Sequence, residues 1–221
     1  MSFRARALTV AAYAIAMAYL ESAVVVYLQR AQSIDPDRLF PLQQPQALGN
    51  LAAIEVGREA ATLVMLASIG ILAGRRAVER LAWCAVAFGV WDVFYYLWLW
   101  VFIGWPHGPA TWDVLFLIPV PWVGPVWAPA AVSVALVVFG LAAARRSGRG
   151  ESMRVSWLHA ALAVGGGFIV ILSFTIDAPR VIDGQTPWGF PWPIFVAGMA
   201  LAAAGAIGVL RARSLPSAPG V

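Results

Sequence analysis

Lysine is absent from the 221 residues, so all fifteen basic side chains are arginines. That absence excludes a retinal or pyridoxal Schiff base and every other reaction that needs a lysine amine. Cysteine occurs once, at Cys84. One thiol forms no internal disulfide and no dithiol redox centre, which leaves Cys84 as a small packing residue. Histidine occurs twice, and His107 and His159 fall near opposite ends of different apolar segments, too far apart to ligate one haem iron or one zinc. Neither stands three or four residues from a glutamate, the spacing that zinc-protease and di-iron sites need. The Gly165-Gly166-Gly167 run has no strand before it and no Lys or Ser/Thr pair after it, so it suits close helix packing and not phosphate binding. No basic stripe with interleaved aromatics is present, which excludes a nucleic-acid partner.

Charge is scarce as well: 12% of the residues are charged against 61% hydrophobic, and mean hydropathy is +0.78. Such a chain takes the bilayer as its solvent. At about 20 residues per span, the apolar runs predict six transmembrane helices, over 7–28, 47–73, 80–104, 125–144, 157–176 and 193–211. The expected fold is all-α, a polytopic membrane helix bundle in which residues 1–221 form a single integral membrane domain. Glu21 interrupts the first run and no A-x-A-like site follows it, which predicts a retained first helix instead of a cleaved signal. Arg4, Arg6, Arg75, Arg76, Arg80, Arg145, Arg146, Arg149, Arg154, Arg211 and Arg213 all fall on one side of these spans. The other side carries Arg30, Arg38 and Arg180 beside Asp35, Asp37, Asp177 and Asp183. The positive-inside rule then predicts a bacterial-type inner (plasma) membrane protein with both termini in the cytoplasm.

The outer connections are rich in proline and tryptophan. Between the third and fourth spans the chain reads Trp105-Pro106-His107-Gly108-Pro109, then Trp112-Asp113, Pro119, Pro121-Trp122, Gly124-Pro125 and Trp127. So many prolines forbid one straight helix, so 113–124 is expected to be a re-entrant or interfacial segment. Residues 187–193, Pro-Trp-Gly-Phe-Pro-Trp-Pro, echo this composition before the sixth span.

Five ionisable residues sit inside the spans: Glu21, Glu55, Arg58, Glu59 and Asp92. Each costs roughly 2.5–3.5 kcal/mol at a helix centre unless it is paired or hydrated. Glu55, Arg58, Glu59 and Thr62 follow i, i+3, i+4, i+7 spacing and share one face of the second span. Phe88, Asp92, Tyr95 and Tyr96 do so on the third. Together with Glu21 they predict an acidic site in the outer half of the bilayer, closed from above by Asp113 if the re-entrant segment dips inward. One arginine cannot neutralise four carboxylates, so at least two of them are protonated, hydrated or bound to a cation.

Three readings follow from that arithmetic. In the first, the cluster binds a cation, proton or small ligand for transport, and Glu21, Glu55, Glu59 and Asp92 ligate a hard divalent cation. In the second, the protein is an intramembrane enzyme that acts on a lipid or isoprenoid substrate by carboxylic-acid general acid/base catalysis, with Tyr95 or Tyr96 hydrogen-bonding the ligand. In the third, the cluster is a buried ion network in a structural subunit of a larger membrane complex. A transport path continues through polar groups to the cytoplasmic face, whereas an enzyme of the second kind has an apolar, aromatic-lined chamber.

Overall fold

A computed structural model of the chain describes residues 1–31, 33–35, 40, 50–149 and 155–212. Arg38, Asp37, Arg154, Arg213 and the first residues of the second predicted span lie outside them. Among the described residues the protein is a mostly helical bundle with six helices long and apolar enough to cross a membrane. These are α1 (Phe3–Ala31), α2 (Asn50–Ala73), α3 (Ala77–Ile103), α4 (Trp127–Gly148), α5 (Trp157–Thr175) and α7 (Trp192–Arg211), with the short α6 (Ala178–Ile182) continuing the fifth span. The expected spans fall within a few residues of these bounds. Local chemistry sets several of the ends. Gly104 takes a left-handed φ of 71° and returns its N–H to the Trp100 carbonyl, closing α3 where a side chain would be strained. Ser156 accepts the His159 N–H at 3.3 Å and caps α5.

The proline-rich connection between α3 and α4 is a β-hairpin, a form that its composition does not announce. Strand β1 (Trp112–Phe116) pairs antiparallel with β2 (Trp122–Pro125), with Asp113 opposite Gly124 and Phe116 opposite Trp122. The register slips between Val114 and Phe116. A lone two-stranded ribbon is marginal in water; here Val123 is buried, and Phe116 and Trp122 rest against helices. Residues 187–191 carry no strand, so the compositional echo before α7 is not a second hairpin.

Helices α1, α2, α3 and α4 form the main body, with α3 central and in contact with the other three. Its core is apolar, built on Val10, Ala14, Met17, Leu66, Trp83 and Val86. Gly89 is what lets α4 approach α3: a β-carbon there would lie 2.5 Å from the Ser133 carbonyl oxygen. The α5–α7 pair makes its own close contact and meets the main body chiefly through α4 and β2. Of the three consecutive glycines, only Gly166 sits at the α5–α7 contact, whereas Gly167 faces open space. Cys84 packs beside Gly70 and points its thiol at the Ala67 carbonyl, as a small packing residue does.

Two ends of the bundle can be told apart by their side chains. The arginine end holds Arg6, which pairs with Glu79 and donates to the Ala73 carbonyl at 3.1 Å. Glu79 is buried and also accepts the Arg75 N–H at 3.0 Å. The opposite end holds the hairpin.

Candidate functional site

The α2 stripe predicted from spacing forms, and α1 completes it. Arg58 reaches Glu55 one turn back on α2 and, across the helix interface, Glu21 on α1. Thr62, a turn further along, donates its hydroxyl to Glu21 Oε2 at 2.8 Å. Glu21 and Thr62 are both buried, so each charged or polar atom here depends on its protein partner. One guanidinium thus serves two carboxylates, and a hydroxyl takes up part of the remaining acceptor capacity.

Glu59 takes no part in that trio. Its carboxylate receives the backbone N–H of Leu117 on both oxygens, at 3.1 and 2.9 Å. Leu117 lies in the hairpin turn beyond β1, where the strand ladder offers its partly buried N–H no partner. Glu59 therefore fastens the tip of the hairpin to α2. Glu59→Ala is expected to leave that N–H unpaired at a cost of about 1–3 kcal/mol, local to the turn. Hydrogen exchange measured by mass spectrometry should then accelerate in peptides covering 116–121 and not in α3; unchanged protection at the turn would remove Glu59 from this role.

On α3 the predicted face divides. Asp92 is buried and accepts a hydrogen bond from the Ser133 hydroxyl of α4 at 2.8 Å. Tyr96, one turn towards the hairpin, donates to Asp113 Oδ2 at 2.9 Å, and Asp113 Oδ1 accepts the Val114 N–H at 2.8 Å. Asp113 lies between the spans, on β1, and is buried by the hairpin instead of capping a helix. Burial lifts its carboxyl to about 6, against the two hydrogen bonds, which favour the carboxylate. Tyr95 packs its ring on Trp91 and Tyr96, and its backbone carbonyl accepts from the buried Ser22 hydroxyl at 3.0 Å.

The predicted acidic residues thus occupy one end of the bundle but hold different partners: Glu21 and Glu55 on Arg58, Glu59 on the hairpin backbone, Asp92 on Ser133, Asp113 on Tyr96. Among the described residues no three His, Cys, Asp or Glu side chains gather as metal ligands, so this geometry lends no support to a divalent cation on Glu21, Glu55, Glu59 and Asp92.

The feature that the sequence reading missed lies on the other side of α3. A chamber of about 390 Å³ separates the main body from the α5–α7 pair. Each bordering helix presents residues at three-, four- and seven-residue spacing: Ala85, Phe88 and Asp92 from α3; Ser133, Leu136 and Gly140 from α4; Ala163, Gly167 and Val170 from α5; Met199, Ala203 and Ala206 from α7. The hairpin contributes Leu115, Phe116 and Trp122. Aromatic rings crowd its hairpin end, with Trp122 stacked on Phe174 at 6.5 Å and edge-on to Phe116 at 5.7 Å. Among the described residues that line it, Asp92 and Ser133 alone have side-chain oxygen atoms. Ala85 and Gly140 each lie seven residues from that pair, on α3 and α4 respectively, so the apolar floor continues for roughly 10 Å towards the arginine end.

No protein-family model matches the chain, and comparison with curated proteins and with solved structures found no similar protein.

Proposed function

We propose that this multi-pass membrane protein is an intramembrane enzyme that takes a lipid-like or isoprenoid substrate in the chamber, with Asp92 as its carboxylic general acid/base. The observation that carries this reading is the placement of one buried carboxyl, hydrogen-bonded to Ser133, on the wall of an otherwise apolar cavity. A concave, mostly apolar pocket with a few convergent polar groups is the usual form of a small-molecule site. Asp92 protonates or deprotonates the substrate, Ser133 holds the carboxyl in place, and the faces of Phe116, Trp122 and Phe174 stabilise positive charge that develops on the substrate. Orientation follows the arginines: the arginine end lies in the cytoplasm of a bacterial-type inner membrane and the hairpin end faces outward.

The transport reading finds less support. Between the Arg58 network and the arginine end lies the apolar core of Ala14, Met17, Leu66 and Trp83, without a file of polar side chains among the described residues. The Arg58 network serves as scaffold, joining α1 to α2 while Glu59 holds the roof of the chamber.

Gly167 gives the direct test. A β-carbon there meets nothing within 4 Å, so a larger side chain starts in open space on the chamber wall. Lipid extracted from the purified wild-type protein and identified by mass spectrometry is expected to contain a bound component that Gly167→Leu loses at unchanged thermal stability. The same lipid profile from both proteins would count against the chamber as the site.

A further inference from the structure

Among the described residues the chamber has no basic side chain in its lining. The basic side chain placed at comparable depth, Arg58, is committed to Glu21 and Glu55 on the far side of α3. What the lining does offer is hydrogen bonding at one polar point, the Asp92–Ser133 pair. The volume, about 390 Å³, lies at the small end of the range for small-molecule sites, about 300–1,000 Å³, and suits one hydrocarbon chain.

We infer that the occupant is a single-chain lipid with a non-anionic, oxygen-bearing head, an alcohol or carbonyl, seated at Asp92–Ser133 beside the Trp122 ring with its chain along the alanine- and glycine-lined floor. This rests on the chamber reading above. A phosphate or diphosphate head would enter low-dielectric surroundings beside a carboxyl, with no guanidinium or ammonium group to pair it, and an anion so placed is strongly disfavoured. The selection is made by charge, and the chain is accepted by shape.

The experiment uses the purified full-length protein in detergent and two probes with the same fifteen-carbon chain: farnesol and farnesyl diphosphate. Binding is read from quenching or shift of tryptophan fluorescence and, independently, from thermal stabilisation. Farnesol is expected to bind saturably, farnesyl diphosphate about tenfold or more weakly, and Gly167→Leu to abolish farnesol binding. If farnesyl diphosphate binds as tightly as farnesol and Gly167→Leu still abolishes it, the head-group inference is overturned while the chamber reading stands. If no probe binds, or if binding survives Gly167→Leu, the chamber reading itself fails.

Discussion

Arg58→Met is expected to destabilise the protein by about 3–5 kcal/mol, the cost of leaving buried charge without its partner. The two carboxylates that depend on it, Glu21 and Glu55, have side chains only 8% and 23% exposed, so water cannot replace the guanidinium. Thr62 gives Glu21 one hydrogen bond, which is not enough for a charge. Arg58→Lys should retain part of the stability: an ammonium keeps the charge but loses the planar fork that reaches two carboxylates at once. The discriminating variant is the triple Arg58→Met, Glu21→Gln, Glu55→Gln. Without charge to strand, it should regain most of what the single change lost. Reversible unfolding in mixed micelles measures all four proteins. An Arg58→Met protein as stable as wild type would mean that Glu21 and Glu55 are neutral in the folded state, and the scaffold role would go with it.

The spans were legible because twenty-residue apolar runs allow few alternatives, and the α2 stripe because i, i+3, i+4, i+7 spacing fixes a helix face whatever lies opposite. The partners across interfaces were less so. Arg58–Glu55 is a local pair and can be read from spacing, whereas Arg58–Glu21, Asp92–Ser133 and Arg6–Glu79 depend on which helices become neighbours. The hairpin stayed hidden because Pro119, Pro121 and Pro125 break the alternation that marks strands; they sit in the turn and at the end of β2, where a missing N–H matters least. The chamber had the weakest signal. Its floor is made of alanine and glycine, the same residues that bring membrane helices together. Gly89 and Gly167 look alike in sequence, yet one lies against a backbone carbonyl of α4 and the other faces empty space. Composition records that a residue is small; only the arrangement of helices decides whether its smallness makes a contact or a cavity.

That arrangement makes Asp92→Asn the sharpest change on the functional side. Asparagine matches aspartate in shape and still accepts the Ser133 hydroxyl hydrogen bond, so folding, expression and the chamber itself should be preserved. What it lacks is a proton that it can give or take. Loss of a positioned general acid/base lowers a proton-transfer reaction by about 10²–10⁴. Ser133→Ala removes the group that orients the carboxyl and should have a milder effect, on the order of tenfold, corresponding to about 1.4 kcal/mol. The measurement is a lipid profile of cells in which the native gene is replaced by wild type, Asp92→Asn or Ser133→Ala at matched protein levels. One apolar metabolite should accumulate in the Asp92→Asn strain and its product should fall, with Ser133→Ala intermediate. Gly167→Leu should reproduce the Asp92→Asn profile, because a blocked chamber and a silent carboxyl interrupt the same step. If Asp92→Asn cells match wild type while Gly167→Leu cells do not, Asp92 is only a buried hydrogen-bonding group, and the chamber holds a lipid without transforming it.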